Sequence, residues 1–270
     1  MALTLPGGTG YLRDPEKLAG EPPDWRADAL LEQVEPPKTY DNRHLVTILN
    51  QGQAPKCVGA ATAGSLASRL RAMGVEVPAE AMPSPMWVWT LARMRNDALK
   101  QYTGTYIRAG FGAIAKHGFV SVEHWPDDEA LIKGKPRWRR IPSMNAFRMA
   151  FDQAKLSGYY RIDSMGDRRV LEFKRAISQD RFPVFGTLVG EGIGRVHDWT
   201  PLDPPSLTEE LGGHAMFGCG YDEEGAFIAN SWGRHFGVDG FLRMSWRYIA
   251  WAMTWDIWVA DIIPNYSEAA

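Results

Sequence analysis

Cysteine is scarce in this sequence: two residues, Cys57 and Cys219, among 270. A disulfide-built secreted domain carries more thiols in an even, spaced set, so that kind of scaffold is excluded. Both thiols are expected free, because a bridge would consume the residue argued below to be reactive. Long apolar runs are missing too. None approaches the roughly 18–20 residues a membrane span needs, so no spanning helix is expected. The opening residues, MALTLPGGTGYLRD, have neither a basic start nor an apolar segment. No secretory signal is read there, and the expected setting is the cytoplasm or export by another route. Nor does one sign of charge dominate. The formal net charge of −2 leaves no footprint for nucleic acid or an anionic membrane. The one basic run, KGKPRWRR at Lys133–Arg140, is read as a solvated loop. What is present is 45% hydrophobic and 23% charged, which suits a globular chain with room for one large domain or two lobes.

Residues 1–43 are rich in Pro, Gly and charge, with a helical candidate at Asp28–Val34, and read as an arm laid over a folded body. The body is expected over 44–265. From Cys57 the run CVGAATAGSLASRLRAMG predicts a helix that stops at Gly74. Its small residues predict close approach by neighbouring backbones. Further helices are expected over Pro85–Lys100 and Tyr106–His117, where His117 reads as a favourable helix-end charge. After Pro142 come helices at Met144–Lys155 and Arg168–Ser178, with a strand at Tyr159–Ile162 between them. Phe182–Val189 predicts a buried strand. Short strands are then expected at Ala215–Tyr221, Gly225–Asn230, Gly240–Met244 and Trp255–Ile262. Helices first and antiparallel strands later point to an α+β fold with two lobes, helical over about 45–140 and sheet over about 141–262.

Cys57 directly follows a loop carrying Gly52 and Pro55, which places it in the first turn of its helix. Unpaired N–H groups and the helix dipole favour an anion there, and thiolate is the nucleophilic form of cysteine. Lys56 adds a positive charge. Gln51, six residues earlier in NQGQAPKC, puts a carboxamide donor on the same loop. With the Cys57 N–H it makes a donor pair for a developing oxyanion. His214, in LGGHAMFGCGYD, stands at the mouth of a strand behind two glycines and suits a general base. Asn230, in FIANSWGRHFGVDGF, falls at a strand end, where its amide oxygen can hold an imidazole. Trp232 follows as a cover that excludes water. Cys219 reads as core, and His235 as packing. His44, His124 and His197 show no metal-ligand spacing, so no metal site is proposed and no cofactor is needed.

The order of these motifs resembles the papain family of cysteine peptidases. QGQAPKC before a small-residue helix, then GGHA, then NSWG with Gly237 and Gly240 beyond it, match that pattern. The histidine follows the cysteine by 157 positions and the asparagine follows the histidine by 16. YIRAGFGAIAKHGFVSVEHWP and FPVFGTLV extend the resemblance over about 36–262. It implies a helical left lobe, a barrel-like right lobe and an active site in the cleft between them. It also implies Cys57, His214 and Asn230 as a triad resting as a thiolate–imidazolium pair, Gln51 in the oxyanion hole and Trp232 in support. Protein or peptide substrates follow, with a monomer as the working expectation. An acyl-transfer enzyme, ligase or transglutaminase-like, would use the same triad, and an inactive papain-like binding module is the other alternative. The sequence departs from the family at Ala54, where secreted relatives often carry a disulfide cysteine, and at Val58, where tryptophan is common. The glycine-rich cysteine motif is also missing around Ala92–Gly104, so the substrate pockets are expected to differ. The arm is too short for a long helical propeptide and is expected to strap the surface, in part across the cleft.

Overall fold

The computed structural model describes residues 5–15, 24–127, 138, 140–209 and 211–264. The basic run at 133–140 lies almost entirely outside them. Helix α1 (Cys57–Ala72) is the central pillar. Its Ala, Gly and Ser positions are buried on nearly every side. A Cβ on Gly59 would stand 2.4 Å from the Pro85 carbonyl oxygen, and one on Gly64 would stand 2.7 Å from the Phe217 ring. That is the close backbone approach its composition predicts. Gly74, at φ +81°, closes the helix in the left-handed region open to glycine.

Against α1 pack α2 (Pro85–Arg95) and α3 (Ile107–His117). Ser84 caps α2 by accepting from the Trp87 N–H at 3.1 Å, the capping role expected of serine. Helices α4 (Met144–Gln153), α5 (Gly166–Ser178) and the short α6 (Trp246–Ala250) belong to the second half of the chain. There the strands are β2 (Ala154–Ile162), β3 (Val184–Val189), β4 (Gly212–Tyr221), β5 (Gly225–Ala229), β6 (Phe241–Ser245) and β7 (Thr254–Pro264). They form one antiparallel sheet in the order β2-β7-β3-β4-β5-β6, with β1 (Tyr40–Asp41) on β4. The fold is therefore mixed helix and antiparallel sheet, a helical lobe against a sheet lobe.

Alternation along β4 divides the core. Ala215, Phe217 and Cys219 face the cluster shared with α1 and α2. Met216 faces a second cluster with Phe173, Phe185 and Ile228, as the two-residue period of a strand requires, and Tyr221 joins that cluster because the β4–β5 register slips between Gly218 and Gly220. Cys219 is core, as expected.

Two local expectations fail. Asp28–Val34 is not an α-helix; a 3₁₀ turn spans Ala27–Ala29. The Gln179 side chain instead takes the Glu32 N–H (2.9 Å) and carbonyl (3.0 Å). Tertiary partners thus take backbone groups that a helix would use. Near the other end, His235 is exposed rather than packed. Its neighbour Phe236 fills the space instead, edge-on to Trp232 at 5.1 Å.

Candidate active site

The cleft between the lobes gathers residues far apart in the chain. Cys57 begins α1 and is fully buried. Strand β4 carries His214, and the backbone N–H groups of Ala215, Val58, Gly10 and Cys57 itself act to lower the pKa of the thiol. Asn230 sits just past the end of β5 and accepts from His214 Nε2 at 2.8 Å. That bond leaves His214 Nδ1 as the nitrogen with an open lone pair, and Nδ1 has no partner among the described residues. Trp232 stacks on the imidazole, with ring centroids 4.7 Å apart and planes at 27°. Its cover keeps water from the His214–Asn230 bond.

Gln51 points inward from the loop before α1. Its Oε1 accepts from the Ser231 hydroxyl at 2.5 Å, and its Nε2 donates to the carbonyls of Ala54 (2.8 Å) and Gly8 (3.0 Å). Lys56 turns away and ion-pairs with Asp127, so its charge is spent there rather than on Cys57.

Gly8 belongs to the N-terminal arm, which runs through the cleft. The Gly8 carbonyl also accepts from Trp232 Nε1 at 3.0 Å, and the Gly8 N–H donates to the Gly52 carbonyl at 2.8 Å. Two residues on, the Gly10 N–H donates to the Gly213 carbonyl at 3.1 Å and also acts to lower the pKa of the Cys57 thiol. Thr105 then brackets the arm from the helical lobe, taking the Gly10 carbonyl (2.9 Å) and the Leu12 N–H (3.0 Å). Fit this tight needs bare backbone. A Cβ on Gly7 would meet Trp232 at 2.2 Å, and one on Gly10 would meet the Pro55 carbonyl oxygen at 2.3 Å. The PGGTG run was the sequence signal for this approach, and it went unread.

Covered in this way, the pair is dry. Burial pushes the Cys57 thiol up to about 12, against the pull of the surrounding N–H groups. Burial likewise brings His214 down to about 4, with the Asn230 bond acting the other way. The thiolate–imidazolium pair expected from the sequence is thus disfavoured while the arm is in place, because charge separation is costly without water.

Sequence reading also missed Tyr11, Asp14 and Asp256, which meet beside the cleft. Among the described residues, no group of His, Cys, Asp or Glu is placed to hold a metal ion. No helix there is long and apolar enough to cross a membrane.

Superposition on solved structures identifies the architecture. Xylellain, a cysteine protease from Xylella fastidiosa, matches with a TM-score of 0.80 at 24% identity, over 95% of this chain and 97% of its own. The chain has the papain-like fold. The digestive procathepsin L 3 of Tenebrio molitor larval midgut matches at TM-score 0.66 and 16% identity, over 95% of this chain and 76% of that one. Bromelain from Ananas comosus, solved with the E64 inhibitor, matches at 0.60 and 19%, over 83% and 99%. By sequence, the papain-like chain is 28% identical over 198 residues to an uncharacterized peptidase C1-like protein of Acanthamoeba polyphaga mimivirus. That match covers 68% of this chain and 60% of the viral protein. No protein-family model matches.

Proposed function

We propose that this protein is a cysteine peptidase that hydrolyses peptide bonds through Cys57, His214 and Asn230, held latent by its own N-terminal arm. The observation that carries the reading is the His214–Asn230 bond beneath Trp232, with the backbone N–H of the next residue, Ala215, among the groups that act on the Cys57 thiol. Nucleophile, base and orienter in mutual reach are what acyl transfer needs.

When the arm leaves, water enters, the burial penalty falls, and the proton can pass from Cys57 to His214 Nδ1. The thiolate attacks the peptide carbonyl carbon. The oxyanion takes hydrogen bonds from the Cys57 N–H and from Gln51 Nε2, an amide that already donates to an arm carbonyl. His214 gives its proton to the departing amine as the C–N bond breaks, leaving a thioester on Cys57. His214 then takes a proton from water, which attacks the thioester and restores the thiol. Protein or peptide substrates follow from this chemistry.

The arm explains why the intact chain is expected to be slow. In the full-length chain, Gly10→Val drives a branched side chain into the Pro55 carbonyl and displaces the arm. That variant is expected to cleave a fluorogenic casein at least tenfold faster than the unaltered chain. It should also take iodoacetamide on Cys57 at pH 6, where an ordinary thiol of pKa about 8.5 reacts sluggishly. Adding Cys57→Ala should abolish turnover. Cleavage that survives it would sink the assignment, and products carrying an added amine would redirect it to acyl transfer.

A further inference from the structure

Tyr11 is the arm's one large side chain in the cleft among the described residues, and the protein has shaped a pocket to it. The ring is buried, and a Cβ on Gly186 of β3 would stand 2.1 Å from the Tyr11 Cζ. Position 186 is therefore open only because glycine occupies it. The backbone of Tyr11 is gripped from both lobes, by the Gly213 carbonyl on one side and by Thr105 on the other. At the floor, the tyrosine hydroxyl donates to Asp256 Oδ2 at 2.5 Å. Asp256 is held there at a cost. It has φ +49°, a left-handed conformation unusual for a residue with a side chain, where the β3–β7 register slips. Such strain tends to mark functional positions. Its other oxygen is tied to Arg161 at 2.8 Å, so Oδ2 is the acceptor that faces the pocket.

We infer that Asp256 and Gly186 form a specificity pocket of the peptidase, which selects substrates bearing a tyrosine side chain, and that Tyr11 occupies it as a stand-in. The inference deepens the peptidase reading and rests on it. A side-chain pocket reads the group that fills it whichever way the backbone runs through the cleft. Phenylalanine fits the same volume but leaves the Asp256 carboxylate oxygen without its donor. Arg161 already balances the charge, so a neutral hydroxyl donor suits the floor better than a second cation. Hydrogen bonds to charged groups discriminate by about 10- to 100-fold.

The test uses the full-length chain carrying Gly10→Val and Tyr11→Ala, which frees the pocket. Internally quenched hexapeptides, with Tyr or Phe walked through every position, are compared by kcat/KM. One position is expected to favour Tyr by about tenfold or more. Adding Asp256→Ala should bring that ratio near one. Should that variant melt out, Asp256→Asn keeps the shape and is expected to cut the ratio several-fold. A readout that needs no turnover runs in parallel: protection of Cys57 from iodoacetamide by N-acetyl-tyrosinamide against N-acetyl-phenylalaninamide, with Tyr expected to protect at about tenfold lower concentration. Equal handling of Tyr and Phe, or a preference that survives the loss of Asp256, overturns the pocket. Tyr-selective protection with no hydrolysis of any peptide overturns the peptidase reading and leaves the pocket standing.

Discussion

Asn230 serves two donors with one oxygen. Its Oδ1 accepts from His214 Nε2 and from the Ser231 N–H, each at 2.8 Å, and both side chains are buried. Replacing it with alanine leaves an imidazole N–H buried with no acceptor. An unsatisfied buried donor costs about 1–3 kcal/mol, and the ring loses the contact that fixes its tautomer. Asn230→Ala is therefore expected to lower the melting temperature and, in the arm-opened chain, to cut kcat well beyond any change in KM. An unchanged kcat would remove Asn230 from the chemistry. Residues of this kind were legible because Gln51, Cys57, His214, Asn230 and Trp232 stand in a fixed order at fixed steps. Tyr11 and Asp256 were not. Their bond spans 245 positions, and neither residue type at either place carries a local pattern. Lys56 misled for a related reason: proximity in sequence to Cys57 said nothing of Asp127, which claims its charge.

At the level of elements, periodicity and punctuation carried most of the fold. Gly74 and Gly118 do end α1 and α3, both at positive φ, because turning the chain back there needs a residue without a Cβ penalty. Most strand edges moved by a residue or two, but β2 begins five residues before the expected Tyr159 and β4 three before the expected Ala215, where the register is set by neighbours rather than by propensity. Ser84 offers a direct test of such local control. It caps α2 through the Trp87 N–H, and its own hydroxyl donates to the Trp125 carbonyl at 2.6 Å, so it ties the helix start to the following segment. Ser84→Ala is expected to cost about 1–2 kcal/mol by urea denaturation. A midpoint within error of the unaltered chain would mean that α2 is positioned by packing alone. The failed helix at Asp28–Val34 marks the limit of such reading, since Gln179, far along the chain, supplies the partners that decided it.

For the whole molecule, the deciding contact is between the arm and β7. Asp14 follows Tyr11 into the same buried corner. Its N–H donates to Asp256 Oδ2 at 2.6 Å, while its carboxylate accepts from Trp258 Nε1 (3.0 Å) and the Arg108 N–H (3.2 Å). Two carboxylates therefore share the latch, with Arg161 bound to Asp256 and Arg108 beside Asp14. Burial first, and the Asp256 charge second, raise Asp14 to about 7. In the released arm it returns to the ordinary carboxylate range of about 4. The sign follows from linkage. Docking is firmest below about pH 4, where Asp14 is neutral in both states, and it weakens as pH rises toward 7, since ionisation is then easier in the released arm. Latency is thus expected to loosen toward neutral pH and to tighten in acid. Asp14→Asn imitates the protonated side chain and should keep the arm docked throughout. Iodoacetamide labelling of Cys57 in the two full-length chains reads this as a ratio, in which the thiol's own ionisation cancels. The ratio of unaltered to Asp14→Asn rates should lie near one at about pH 4 and climb through pH 7. A flat ratio across that range would show that the arm is held by its glycine backbone and Tyr11, with no electrostatic contribution from Asp14.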